Sequence, residues 1–201
     1  VKDLRNNDLA NIYRLRAKIY VTELLEGKIH FGRVLLRDTK ANLVQYEGED
    51  FCNFQFLADF FSSGNEKEKS AKPLMLQIDN ILIVNLDFLM WNQNRDKPEL
   101  TAQNAIDYSH LDIDSISLSA KDLQIIGDSI HTVVEMLRAK EMSGLNLKML
   151  QSDVIVGQSG IYLTDLQMEL NNSLIHTDLN MLYNGFGAFK SFVDSVRFDA
   201  T

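Results

Sequence analysis

The side chains able to do chemistry near neutral pH are few and scattered. The four histidines, His30, His110, His131 and His176, lie 80, 21 and 45 residues apart. No two sit four residues apart with a glutamate between, the spacing a zinc hydrolase places on one helix face. Each lies in or beside a predicted strand, where a solvated or hydrogen-bonded imidazole is the simpler reading. Cys52 is the only cysteine, so neither an internal disulfide nor a cysteine-based zinc site is available. Gly157-Gln158-Ser159-Gly160-Ile161 sets a serine between glycines, but a nucleophile elbow requires glycine where Ile161 stands; a hairpin turn fits better. Asp112 and Asp114 can present two carboxylates on one strand face, yet no glycine or distal glutamate completes a calcium loop. Gly185-x-Gly187 is too short for a dinucleotide fingerprint. Asn171-Asn172-Ser173 is a glycosylation acceptor only in a eukaryotic secretory route. Trp91, beside Met90 where a strand meets a polar stretch, reads as a rim or core residue. No catalytic constellation survives, which points to a binding or structural role and not to an enzyme.

The elements that carry these residues are predominantly strands. Leu15, Ala17, Ile19 and Val21 alternate with Arg14, Arg16, Lys18, Tyr20 and Thr22, the period-2 pattern of a strand wet on one face. Ile175, Thr177, Leu179, Met181 and Tyr183 alternate in the same way with Leu174, His176, Asp178 and Asn180. Further strands are predicted over Lys28–Thr39, Ala41–Tyr46, Leu74–Leu86, Tyr108–Leu118, Lys121–Ile126, Ser129–Ala139, Leu145–Val156 and Ile161–Leu170. Thr132–Met142 has good helix formers, but its hairpin neighbours favour strand. Turns at Ser143-Gly144 and Gly157–Gly160 are short enough to join antiparallel neighbours. One helix is predicted from Asn53 to Phe61: Asn53 is a favourable N-cap, and Phe54, Leu57, Ala58 and Phe61 follow on one face. A shorter turn is expected over Ala188–Asp194. A pattern apolar-x-apolar-x-x-apolar occurs at Leu76/Ile78/Ile81, Leu111/Ile113/Ile116, Leu145/Leu147/Leu150 and Ile161/Leu163/Leu166. In a chain that is 45% apolar three such positions recur by chance, so the pattern alone establishes no repeat.

Composition narrows the partners. The net charge is −8, and all of the excess acid lies beyond residue 50. No basic run is present, which argues against nucleic acid and against docking on anionic lipid. The longest apolar run, Ile81-Leu82-Ile83-Val84, stops at Asn85, far short of the ~20 residues a spanning helix needs. The chain opens on Val1 without a visible signal peptide, as an internal fragment of a larger protein would. Polar residues dominate 62–72 and 92–107, and the two prolines, Pro73 and Pro98, fall beside or within these stretches. Three parts are therefore expected: N-terminal strands and helix over 1–61, a polar insertion over 62–72, and successive antiparallel strands over 73–201.

Several motifs, in order, resemble the AsmA/TamB family. Val34-Leu35-Leu36-Arg37-Asp38 leads through Gly48-Glu49-Asp50-Phe51-Cys52-Asn53-Phe54 into the predicted helix, similar to the family's N-terminal strand-strand-helix unit, with Cys52 where an aromatic is usual. Leu76-Gln77-Ile78-Asp79-Asn80-Ile81 is similar to its strand entries. Lys140-Glu141-Met142-Ser143-Gly144-Leu145 resembles a family hairpin, and Val196-Arg197-Phe198-Asp199-Ala200 resembles the strand after the family's helical break. The resemblance spans most of residues 28–200. It implies an all-β fold with one or two short helices, a long curled antiparallel sheet around an apolar groove. It also implies a periplasmic segment of a parent protein held in the inner membrane by a missing N-terminal anchor. Phospholipid acyl chains and an outer-membrane assembly barrel would be its partners. It implies no cofactor beyond bound phospholipid or detergent, no metal and no catalytic residue. In such a sheet one alternating set of side chains must line the groove, and Ile78, Ile113, Leu147, Leu163, Ile175 and Leu179 are the candidates. A scaffold for outer-membrane protein assembly and a closed structural β-domain are the competing readings.

Overall fold

The computed structural model describes residues 1–26, 28–56, 75–96, 106–185 and 197–200. Strand accounts for 71% of them and helix for 4%. The order is β1 (Ala10–Ile19), α1 (Val21–Leu25), β2 (Ile29–Gln45), β3 (Met75–Asn92), β4 (His110–Ile126), β5 (Ser129–Glu141), β6 (Asn146–Gly157), β7 (Gly160–Leu170), β8 (Ser173–Leu182) and β9 (Arg197–Ala200). All nine strands form one sheet in sequence order, and the sheet is not closed. The all-β fold is thus established, and its shape is consistent with a curled sheet.

The sheet differs from the sequence expectation in three ways. Strands expected as separate pieces are continuous: Lys28–Thr39 with Ala41–Tyr46 makes β2, and Tyr108–Leu118 with Lys121–Ile126 makes β4. Tyr20 to Thr22, expected to prolong β1, leave the strand instead, and Val21–Leu25 turn into α1. Finally, β2 and β3 pair in parallel while every other pair is antiparallel. A parallel pair needs a crossover rather than a hairpin, which is why residues 46–74 intervene here. The predicted helix Asn53–Phe61 lies largely in this connection, with 57–61 outside the described residues. Asn53 itself binds β2: its amide oxygen accepts from Val44 N at 3.0 Å and its amide nitrogen donates to Asn42 O at 3.2 Å. The polar insertion 62–72 and the turn expected over Ala188–Asp194 also lie outside the described residues.

Long strands survive because bulges keep their apolar side chains on one face. Strict alternation would turn a strand's apolar set over wherever an extra residue intervenes. Asp38, Asn85, Ser115 and Asp165 all have positive φ, between 49° and 59°. Each sits inside a three-residue apolar step: Leu36 to Thr39, Ile83 to Leu86, Ile113 to Ile116, and Leu163 to Leu166. Asp and Asn tolerate this left-handed conformation better than most residues because their short side chains bond locally. Asn85 Nδ2 donates to Asp38 Oδ1 at 2.9 Å, linking the bulges of β2 and β3. The i, i+2, i+5 apolar pattern seen in the sequence therefore has a physical basis at Ile161/Leu163/Leu166 and Leu111/Ile113/Ile116: the wider gap is the bulge.

Tight connections fix the register of β4 to β8. Gly127 and Asp128 join Ile126 to Ser129, Gln158 and Ser159 join Gly157 to Gly160, and Asn171 and Asn172 join Leu170 to Ser173. A Cβ on Gly160 would stand 2.7 Å from Met181 O, so the turn into β7 requires glycine.

A test follows at Asp165, whose φ is 52° and whose side chain makes no hydrogen bond among the described residues. Asp165→Val should cost about 1–2 kcal/mol, because a β-branched residue is strained in this region. Asp165→Gly should stay within a few tenths of wild type. Denaturant unfolding of both variants checks the assignment; equal stability of the valine variant would contradict it.

Candidate functional site

The register assembles one broad apolar face. Leu15 pairs Leu36, and the row continues through Ile83, Leu118, Leu137, Leu150 and Met168 to Ile175. A second row runs Ile29, Leu76, Ile125, Ile130, Val156, Ile161, Met181 and Phe198. Between them, Phe31 pairs Ile78 and Ile78 pairs Leu123, and further along Val154, Leu163, Leu179 and Ala200 pair in turn. On β6, Leu150, Ser152, Val154 and Val156 alternate without a bulge, so all these rows lie on the same side. The row beside them on the other face is largely polar: His30, Gln77, Gln124, His131, Ile155, Tyr162, Asn180 and Asp199.

The six candidate residues share this apolar face. Leu163 and Leu179 are direct partners, Ile78 lies in the same row, and Ile175 ends the Leu15 row opposite Met168. Ile113 pairs Phe88 on one side and the charged Glu141 on the other, and Leu147 pairs Ala139 and Leu170. All six are half-buried. Across the described residues the only buried apolar side chains are Leu9, Tyr46, Ala120, Leu166 and Tyr183. Thr39, Ala120, Ser152 and Leu166, each under 5% exposed, belong to the apolar face, so its side chains crowd together in the middle. Along β8 the contrast is direct: Ile175, Thr177 and Leu179 are half-buried, while Leu174, His176 and Asp178 are exposed. Covering the rest of one such Leu or Ile would contribute ~1 kcal/mol.

Polar clusters hold the ends of the first strands. At one end Asp3 accepts from Tyr46 Oη at 2.5 Å, from Asn53 Nδ2 at 3.2 Å, and from the backbone N–H groups of Arg5 and Asn7. Burial works to raise the Asp3 pKa, but these donors outweigh it and hold the carboxyl below its ordinary value. At the other end His30 lies between two carboxylates, with Nε2 2.6 Å from Asp79 Oδ1 and Nδ1 2.9 Å from Glu23 Oε1. Both ring nitrogens then donate, which is the imidazolium form. The bond to Asp79, followed by that to Glu23, raises the His30 pKa, and the same bond lowers that of Asp79. This clamp ties α1 to β2 and β3.

The remaining chemical candidates are structural. His110 bonds Asp107 through Nδ1 at 2.5 Å and Asn92 O through Nε2 at 2.9 Å, with its ring 4.4 Å from that of Trp91. These contacts order the described ends of the 92–107 stretch, where Asn94 also bonds Gly48 N and Tyr46 O. His131 and His176 stand on the polar face. Ser159 is a hairpin residue beside Tyr162 Oη at 3.2 Å. No group of three or more His, Cys, Asp or Glu able to hold a metal occurs among the described residues. No described helix is long and apolar enough to cross a membrane.

What the sequence reading missed is a basic cluster. Arg14 pairs Arg37 and Lys18 pairs Arg33 across β1 and β2, with Arg16 between them. The alternation of Arg14, Arg16 and Lys18 is visible in the sequence; their meeting with Arg33 and Arg37 needed the register.

Comparison with known proteins adds no relative: no protein family model, curated protein or solved structure matches the chain.

The clamp predicts a pH dependence. A raised histidine pKa contributes stability that is fully present below ~6.5 and is lost as pH rises through the folded value. Asp79, with a lowered pKa, contributes above ~3.9 and loses its effect as pH falls through its folded value. Wild type should therefore lose stability from pH 6 to pH 9, and His30→Gln should flatten that decline. Denaturant midpoints across this range check it; parallel pH curves for the two proteins would show that the clamp contributes nothing.

Proposed function

We propose that this chain is a non-enzymatic segment of an AsmA/TamB-like periplasmic bridge, whose apolar sheet face carries phospholipid acyl chains between the inner and outer membranes. The observation that carries the reading is the set of apolar rows, which cross the strands from β1 or β2 to β8 or β9 with few polar interruptions. The rows from Leu15 to Ile175 and from Ile29 to Phe198 carry no charged residue, so a tail sliding on them passes from strand to strand without meeting a charge; Glu141 stands on this face only beside Ile113. Each buried methylene contributes about 0.8 kcal/mol, enough for a tail to be held without a charged anchor on that face. Half-burial of the row residues leaves apolar surface for such an occupant. The resemblance of Leu76–Ile81, Lys140–Leu145 and Val196–Ala200 to family motifs supports the same reading, as does the open sheet. The parent protein would be anchored in the inner membrane, with an outer-membrane assembly barrel as its far partner.

The experiment is lipid extraction and mass spectrometry on purified wild type, Leu179→Asp and Leu147→Asp, with circular dichroism as the folding control. Wild type should carry phospholipid. The variants should stay folded and lose most of it, since an unpaired charge on this face costs several kcal/mol more than the methyls it replaces. Unfolded variants would indicate a closed structural core. Folded variants with unchanged lipid would reject the assignment. Wild type that binds a barrel protein but never lipid would favour an assembly scaffold.

A further inference from the structure

The sheet's first edge carries a feature that acyl transport does not use. On the polar side of β1 and β2, Arg14 faces Arg37 and Lys18 faces Arg33, two like-charge cross-strand pairs, with Arg16 opposite Leu35. Directly opposed like charges destabilise a sheet, and no carboxylate among the described residues relieves them. None of the five cations makes an ion pair among the described residues, and the nearby acids are engaged elsewhere. Glu23 and Asp79 hold His30, Glu26 pairs Lys28, and Asp87 pairs Lys40. Lys18 and Arg33 border an open depression of about 500 Å³ that Tyr20, Asn80 and Ser119 also line. Arg14 and Lys18 stand over the rings of Tyr13 and Tyr20, at 5.8 and 5.5 Å, which leaves their charge uncancelled; in a chain of net charge −8, this concentration of positive charge is local.

Exposed apolar side chains stand next to it. Helix α1 has no buried residue; Val21 is 61% exposed, Leu24 46% and Leu25 86%. Tyr13 on β1 is also exposed. β1 is an edge strand of the sheet. Cations beside exposed apolar and aromatic side chains are the composition of a membrane-interface contact: the cations meet lipid phosphates while the apolar groups enter the headgroup boundary.

We propose that the β1–α1 edge docks on an anionic lipid bilayer, with Arg14, Arg16, Lys18, Arg33 and Arg37 on the headgroup phosphates and Val21, Leu24 and Leu25 in the interface. The absence of a basic run in the sequence hid this surface, because two strands have to pair before their cations meet. The proposal is separate from acyl-chain binding, since it concerns the polar side of the sheet and α1.

Vesicle flotation of the whole chain tests it, with vesicles of phosphatidylcholine alone and of phosphatidylcholine with one-third phosphatidylglycerol. The chain should float with the anionic vesicles only, and added salt should release it. Arg14→Glu and Lys18→Glu turn like-charge pairs into opposite-charge pairs, so folding should be retained. Each should weaken binding by at least about fivefold, and Leu24→Ser with Leu25→Ser should weaken it further. Arg138→Glu, on β5, should leave binding unchanged. Equal binding to both vesicle types, equal loss from Arg138→Glu, or indifference to Lys18→Glu would overturn the proposal. Binding to polyglutamate without binding to anionic vesicles would overturn it in favour of an acidic protein partner.

Discussion

Everything in this structure depends on keeping one side of a single sheet apolar while strands of up to 18 residues pair along their length. Backbone pairing alone does not secure this, because one inserted residue turns a strand's remaining side chains to the opposite face. The left-handed residues Asp38, Asn85, Ser115 and Asp165 absorb the extra residue locally. Leu36, Ile83, Leu118, Leu137, Leu150, Met168 and Ile175 can then stand in one unbroken row. A bulge also increases local twist and bends the strand. The devices that preserve the apolar face are thus also able to curl the sheet.

The same constraint explains where polar chemistry sits. With one face apolar, titratable groups collect on the opposite face and at strand ends. Asp3, Tyr46 and Asn53 close one end of β2, and His30, Glu23 and Asp79 fasten α1 at the other. These clusters satisfy their own donors and acceptors among the described residues, and the Asp3 cluster borders an open pocket that Cys52 also lines. Buried apolar side chains are few, and the stability of the sheet rests on neighbouring strands in sequence order. Such an arrangement extends in one dimension, as repeat proteins do.

Much of this was legible in the sequence. The alternation of Leu15 to Ile19 and of Ile175 to Met181 gave β1 and β8 directly, and the turns at Ser143-Gly144 and Gly157–Gly160 gave two of the hairpins. Ile78, Ile113, Leu147 and Leu163 fall on a common face because the recurring strand entries follow the bulge spacing, and Ile175 and Leu179 join them through the plain alternation of β8. Three things were not legible. The parallel pairing of β2 with β3 depends on a crossover through residues 46–74, where strand periodicity says nothing of direction. The division at Tyr20–Val21 was hidden because Val21 continues the apolar alternation although the chain turns into α1. The cation cluster was hidden because charge counted along a sequence does not reveal charge gathered across a register.

The central claim is that lipid tails lie on the apolar rows. The most direct measurement is site-specific photocrosslinking from β8, with a benzophenone side chain placed at Leu179 in one protein and at His176 in another. These positions lie on opposite faces of one strand, and His176 is the more exposed of the two, so labelling by bulk lipid would favour position 176. The account predicts phospholipid adducts at position 179 and none at 176. Equal labelling at both positions, or no lipid adduct at 179, would contradict it.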